Sequence, residues 1–120
     1  MDNNINLSVS EEVISTIAEK TVMSVPGVFD IAGGIIDGIT NILGSKKTRG
    51  IKVDISEKSI SLDIYLIVEY GVKIPDIAWD IQDKVKKTLE EIVGMTVTAV
   101  NIHIQGINFN KKSSIPKKED

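Results

Sequence analysis

The sequence predicts an α+β domain of two layers, a three- or four-stranded mixed or antiparallel sheet with two helices on one face. Three observations carry this. Isoleucine, valine and leucine dominate a 42% hydrophobic fraction while aromatics reach only 4%, and β-branched residues favour strands. Two stretches repeat their apolar residues at helical spacing, and three alternate with a period of two. Read in order, these give β(short)-α-β-β-α-β. With the N-terminal strand paired, that order matches the split βαβ arrangement.

Residues 5–9 (INLSV) form the short strand. Ser10 caps the first helix, over about residues 10–25. Glu11 and Glu12 sit in its first turn, where the helix dipole favours anions, and Val9 staples to Ile14. Val13, Ile14, Ile17, Ala18, Thr21 and Val25 fall on its core side, and Pro26-Gly27 ends it.

Residues 28–50 read as a glycine-rich flexible connector. Within it Ile35, Ile36, Ile39, Ile42 and Leu43 keep helical spacing, but Gly33, Gly34, Gly38 and Gly44 each cost up to ~1 kcal/mol in a helix interior. Three readings stand: a connector, an amphipathic helix that orders on a partner's groove, or, more weakly, a helix on a membrane surface, for which only Lys46, Lys47 and Arg49 supply positive charge. A phosphate loop is rejected, because Gly44 is followed by Ser45 rather than Lys and no strand precedes the segment.

Residues 51–55 and 59–70 make a hairpin. Ile60, Leu62, Ile64, Leu66, Val68 and Tyr70 point inward, and Ser61, Asp63, Tyr65, Ile67 and Glu69 outward. Gly71 breaks the strand. The second helix spans about 75–93, with Pro75 in its first turn and Gly94 as its stop. Its core stripe is Ile74, Ile77, Ala78, Ile81, Val85, Thr88 and Ile92. Asp80–Lys84, Asp83–Lys87 and Lys86–Glu90 are spaced i,i+4 on the wet side. Residues 96–109 form the last strand, whose apolar parity switches twice. Val97 and Ala99 share one face and Val100, Ile102 and Ile104 the other, before Gly106 intervenes. Such switches predict bulges or a bend. Residues 1–109 are thus one domain, and 110–120 a charged, disordered tail.

Composition narrows the function. The net charge of −3 argues against a general nucleic-acid or anionic-membrane binder. No cysteine means no disulfide, thiol nucleophile or thiolate metal site, and a single histidine excludes a multi-His metal site within one chain. The acidic start lacks the basic region of a secretion signal, and the longest apolar run, Ile64 to Val68, is far short of the ~20 residues of a membrane span. The expectation is a cytoplasmic protein with no catalytic residues, no cofactor and no small-molecule substrate.

Trp79 points about 140° away from the centre of the second helix's apolar stripe. It is either an interface anchor, a role in which Trp is enriched, or a satellite of the core lying over residues 28–45. Tyr65 and Ile67 form an apolar strip on the outward sheet face, suited to self-association. His103 lies between Asn101 and Gln105 in a polar row, with no nucleophile or acid placed beside it by sequence. Lys46, Lys47, Arg49 and Lys52 make a local basic cluster, which keeps a small RNA-binding module as the alternative reading, although the strands lack aromatic pairs for base stacking. A small-molecule or lipid carrier is a third.

The blocks INLSVSEEVISTIAEKTVMSVPGV, GGIIDGITNILG, RGIKVDI, DIYLIVEYGVKIPDIAWDIQDKVKKTLEEIVGMTV and TAVNIHIQGINF follow one another in an order and spacing that resembles the alkaline shock protein family of Gram-positive bacteria, over about residues 5–109. The resemblance implies a cytoplasmic protein of envelope or alkaline stress. It implies a protein partner, membrane-anchored for some members, higher assemblies of the chain itself, and no catalytic residues to transfer.

Overall fold

The computed structural model describes residues 7–32 and 50–110. Its elements are α1 (Glu11–Met23), β1 (Val28–Ile31), β2 (Ile51–Ser56), β3 (Ser59–Glu69), α2 (Ile74–Val93) and β4 (Thr96–Asn108). The α+β class, the two helices and the mixed sheet are as predicted. The place of the short strand is not. Residues 7–9 are not a strand, and residues 5 and 6 lie outside the described ones. The short strand is instead β1, inside the stretch read as a connector. A four-residue strand directly after Pro26-Gly27, with a bulge at Phe29, leaves no alternation to read.

β3 is the spine of the sheet. One edge pairs β4 in parallel along its whole length. The other is shared end to end: β2 pairs antiparallel with residues 59–64 and β1 with residues 66–68. Between them, Ala32 N–H donates to the Tyr65 carbonyl and Tyr65 N–H donates to the Gly50 carbonyl, each at 2.8 Å. Ala32 and Gly50 therefore meet at the same place on the edge of β3. The parallel partner β4 is reached by way of α2, the crossover that parallel pairing requires.

Ser10 caps α1, its Oγ accepting from Val13 N–H at 3.2 Å. Gly94 ends α2 in the left-handed region at φ 80°, its N–H donating to the Glu90 carbonyl. The inward residues of β3, from Ile60 to Val68, are fully buried. They pack in one cluster with Ile14, Ala18, Val22 and Val25 on one side and Ile77, Ile81, Val85, Leu89 and Val93 on the other.

Three core assignments change. On α1 the stripe is centred on Ile14, Ala18 and Val22, leaving Val13 exposed. On α2 it advances by four residues throughout, so Leu89 and Val93 are buried while Ile92 is 62% exposed. A four-residue step drifts ~40° per turn around the helix, which suits a helix that rests on both α1 and β4. Tyr70 lies beyond the end of β3 and is exposed, its ring 5.0 Å from Phe109.

Both parity switches in β4 are bulges. The register slips between Ile60 and Ser61, where Thr98 is the extra residue, and between Leu66 and Ile67, where Gln105 is. The first returns Val97 to the core side, 3% exposed and away from Ala99. On α2, Asp83–Lys87 (3.3 Å) and Lys86–Glu90 (2.8 Å) form as ion pairs.

Candidate interaction surface

The helices lie on one face of the sheet, and no described helix covers the other. That face carries the outward residues of three strands, set side by side by the registers. Lys52 of β2 stands opposite Asp63 of β3, which stands opposite Asn101 of β4; one position along, Tyr65 stands opposite His103. Tyr65 and Ile67 are thus on the open face as expected, both half-buried by their neighbours. Ala99 joins them on this face, whereas Val97 does not.

Sequence reasoning left His103 without a partner. In the structure its Nε2 is 3.0 Å from Asp63 Oδ1, and its ring stacks on Tyr65 with centroids 4.4 Å apart and planes 13° from parallel. On the other flank, Lys52 Nζ stands 6.0 Å from the Tyr65 centroid. The hydrogen bond from His103 holds the Asp63 carboxyl below the ordinary carboxylate range, helped by Asn101 and Lys52. Asp63 and His103 are forty residues apart in the chain, and the slip at Thr98 sets His103 opposite Tyr65, one place along the face from Asp63. Outward parity was the available signal for both; the bulge offset was not legible.

Chemically this is a clasp across three strands. The imidazole is held by a carboxylate, and among the described residues no side-chain hydroxyl bonds its other nitrogen. Among the described residues, no group of three or more His, Cys, Asp or Glu could hold a metal ion. The Tyr65 ring has His103 on one side and Lys52 toward the other, which leaves little aromatic face for a base to stack on.

Trp79 is 62% exposed on α2, away from the core stripe as its helical angle requires. Ile35, Ile36, Ile39, Ile42 and Leu43 lie outside the described residues, so the amphipathic-segment reading is not addressed by the structure. None of the described helices is long and apolar enough to cross a membrane.

Fold and surface together define a two-layer α+β domain with one sheet face that no described helix covers and an exposed tryptophan on the opposite layer. The chain belongs to the alkaline shock protein 23 family, described by a cell envelope-related function, whose model matches residues 1–109. Among its relatives, YloU of Bacillus subtilis is 36% identical over 104 residues, covering 84% of this chain and 87% of that protein. YqhY of the same organism is 32% identical over 108 residues, covering 89% and 80%. A Streptococcus pyogenes protein named as a stress response regulator gls24 homolog is 21% identical over 113 residues, covering 92% of this chain and 63% of its own. In structure the chain is similar to a zinc form of MamM CTD, with TM-score 0.57, 10% identity and coverage of 85% and 91%, a likeness of fold alone.

Proposed function

We propose that this chain is a non-enzymatic adaptor of the cell-envelope stress response, working in the cytoplasm by binding a membrane-anchored protein partner and by assembling with copies of itself. The single observation that carries this reading is Trp79, a large ring held 62% exposed on a helix whose other face is fully committed to the core. Such a residue lowers the solubility of a monomer and is enriched in the centres of interfaces. The family's cell envelope-related description and the stress-regulator name of the gls24 relatives support the setting. The clasped Asp63–His103 pair, with no hydroxyl bonded to it among the described residues, supports a binding surface over a reaction centre.

The test is recovery of envelope proteins on the immobilised full chain, comparing wild type with Trp79→Ala and Ile39→Asp. A defined membrane protein retained by wild type and lost with Trp79→Ala is the expected result. Equal recovery by wild type and both variants would sink the reading.

A further inference from the structure

We infer that the open edge of β4, flanked by Trp79, is where a second copy of this chain pairs, strand against strand. This names the surface for the self-assembly half of the proposed function and rests on that half.

The direction of each main-chain group on β4 follows from its bonds. Thr96 N–H donates to the Lys58 carbonyl, so Thr96 faces β3. Val97 faces away. Its N–H donates to Glu90 at 2.9 Å and its carbonyl accepts from Lys86 at 3.4 Å. The Val100 carbonyl also faces away and accepts from Gln82 Nε2 at 2.9 Å. Residues 99–104 then run in unbroken register with residues 61–66, so alternation turns the N–H and C=O of Ile102 and Ile104 away from β3 as well. Among the described residues no side chain bonds them. Helix α2 caps the first part of this edge and leaves the rest bare.

The bare part is also unguarded. Edge strands commonly carry charge that discourages pairing, and the opposite edge of this sheet carries Asp30, Lys52 and Asp54. β4 is the one described element with no Lys, Arg, Asp or Glu. Trp79 lies within about 20° of Lys86 and Glu90 around the helix axis. It therefore sits on the flank of α2 that looks toward this edge rather than toward α1.

These features select a copy of the chain as the occupant. An element without charged side chains lets two molecules of net charge −3 meet without setting like charges opposite each other. An antiparallel pairing about a two-fold axis at His103 sets Ile102 opposite Ile104 of the second copy, and Ile104 opposite its Ile102. Every edge-facing group of these two residues then finds a partner, as an isologous interface requires. Each His103 at the axis keeps its own Asp63 at 3.0 Å, so neither ring meets the axis without its carboxylate partner.

The experiment measures solution mass by sedimentation over a concentration series, together with amide hydrogen exchange at Ile102 and Ile104, on the full chain. The expected result is a rise from one-chain to two-chain mass, with exchange at both amides slowing in step by tenfold or more. The register sets Asn101 opposite Gln105 of the second copy. The double variant Asn101→Glu/Gln105→Glu should therefore hold the one-chain mass while still unfolding cooperatively, its melting temperature lowered by the carboxylate that Asn101→Glu sets opposite Asp63. Asn101→Glu/Gln105→Lys should restore the two-chain mass. A dimer whose Ile102 and Ile104 amides exchange as in dilute solution, or one that survives the double Glu change, overturns the β4 surface while leaving self-assembly standing. One-chain mass for wild type at every soluble concentration overturns both.

Discussion

Gly50 abuts Ala32 so closely that a Cβ on Gly50 would stand 2.6 Å from the Ala32 carbonyl oxygen. The contact exists because both residues bond to Tyr65, one to its C=O and the other to its N–H. Gly50 also has φ +55°, where a side chain is disfavoured. Neither obstacle can relax without moving β1 away from β2 along the spine.

Gly50→Ala is therefore expected to cost about 2–3 kcal/mol. Equilibrium urea unfolding measures it. A cost within about 0.5 kcal/mol would show that the two strand ends are not held together as described.

The buried stripe of α2 is tested by contrast. Leu89 on α2, like Leu66 on β3, is fully buried, and either residue changed to Ala should lose about 2–5 kcal/mol. Ile92→Ala, at an apolar position of the same helix that is 62% exposed, should stay within about 0.5 kcal/mol. Thermal melts of the three variants rank them; an Ile92 variant as damaged as the Leu89 variant would contradict the four-residue stripe.

That stripe shows where the sequence was legible and where it was not. Local chemistry was readable: Ser10 as a cap, Gly94 as a stop, the alternation of β3, and the two slips in β4 betrayed by its changes of parity. What depended on neighbours was not. Whether Leu89 or Ile92 turns inward is decided by how α2 lies across α1 and β4, which its own periodicity leaves open. β1 has no pattern of its own because its partner residues are on β3, far along the chain. Tyr70 continues the alternation of β3 on paper, but the strand ends at Glu69 and the ring goes to Phe109. Of the surface, Tyr65, Ile67 and Trp79 followed from parity and helical angle. The Asp63–His103 contact waited on a bulge.

Removing that contact should have a modest and pH-dependent effect. Asp63 has its carboxyl held below its ordinary range chiefly by the His103 hydrogen bond. Its contribution is thus present above the unfolded value of about 3.9 and disappears as pH falls through the lower folded value. Both side chains are 39% exposed, so solvent screening keeps the contribution under about 1 kcal/mol. Urea unfolding of wild type and Asp63→Asn should differ at neutral pH and converge in strong acid. A gap that widens on acidification would reverse the assignment.

The cap on α1 is a separate device. Ser10→Ala leaves the Val13 N–H without its side-chain acceptor and should lower stability by about 1 kcal/mol. Ser10→Asp should recover it, since the cap chemistry and the helix dipole both accept a carboxylate. Circular-dichroism melts of the pair decide; equal loss in both would mean the hydroxyl acts otherwise.

The parallel pairing of β4 bears on how the protein is made. A ribosome releases the chain from its N-terminus, so β4 is the last of the described elements to become available to the rest. Until it arrives, β3 offers one whole edge, with fully buried residues such as Leu62 and Leu66 beneath it, to whatever strand comes near. A released chain that ends at Gly94 would thus be a form of this protein exposed to mispairing and to chaperone capture.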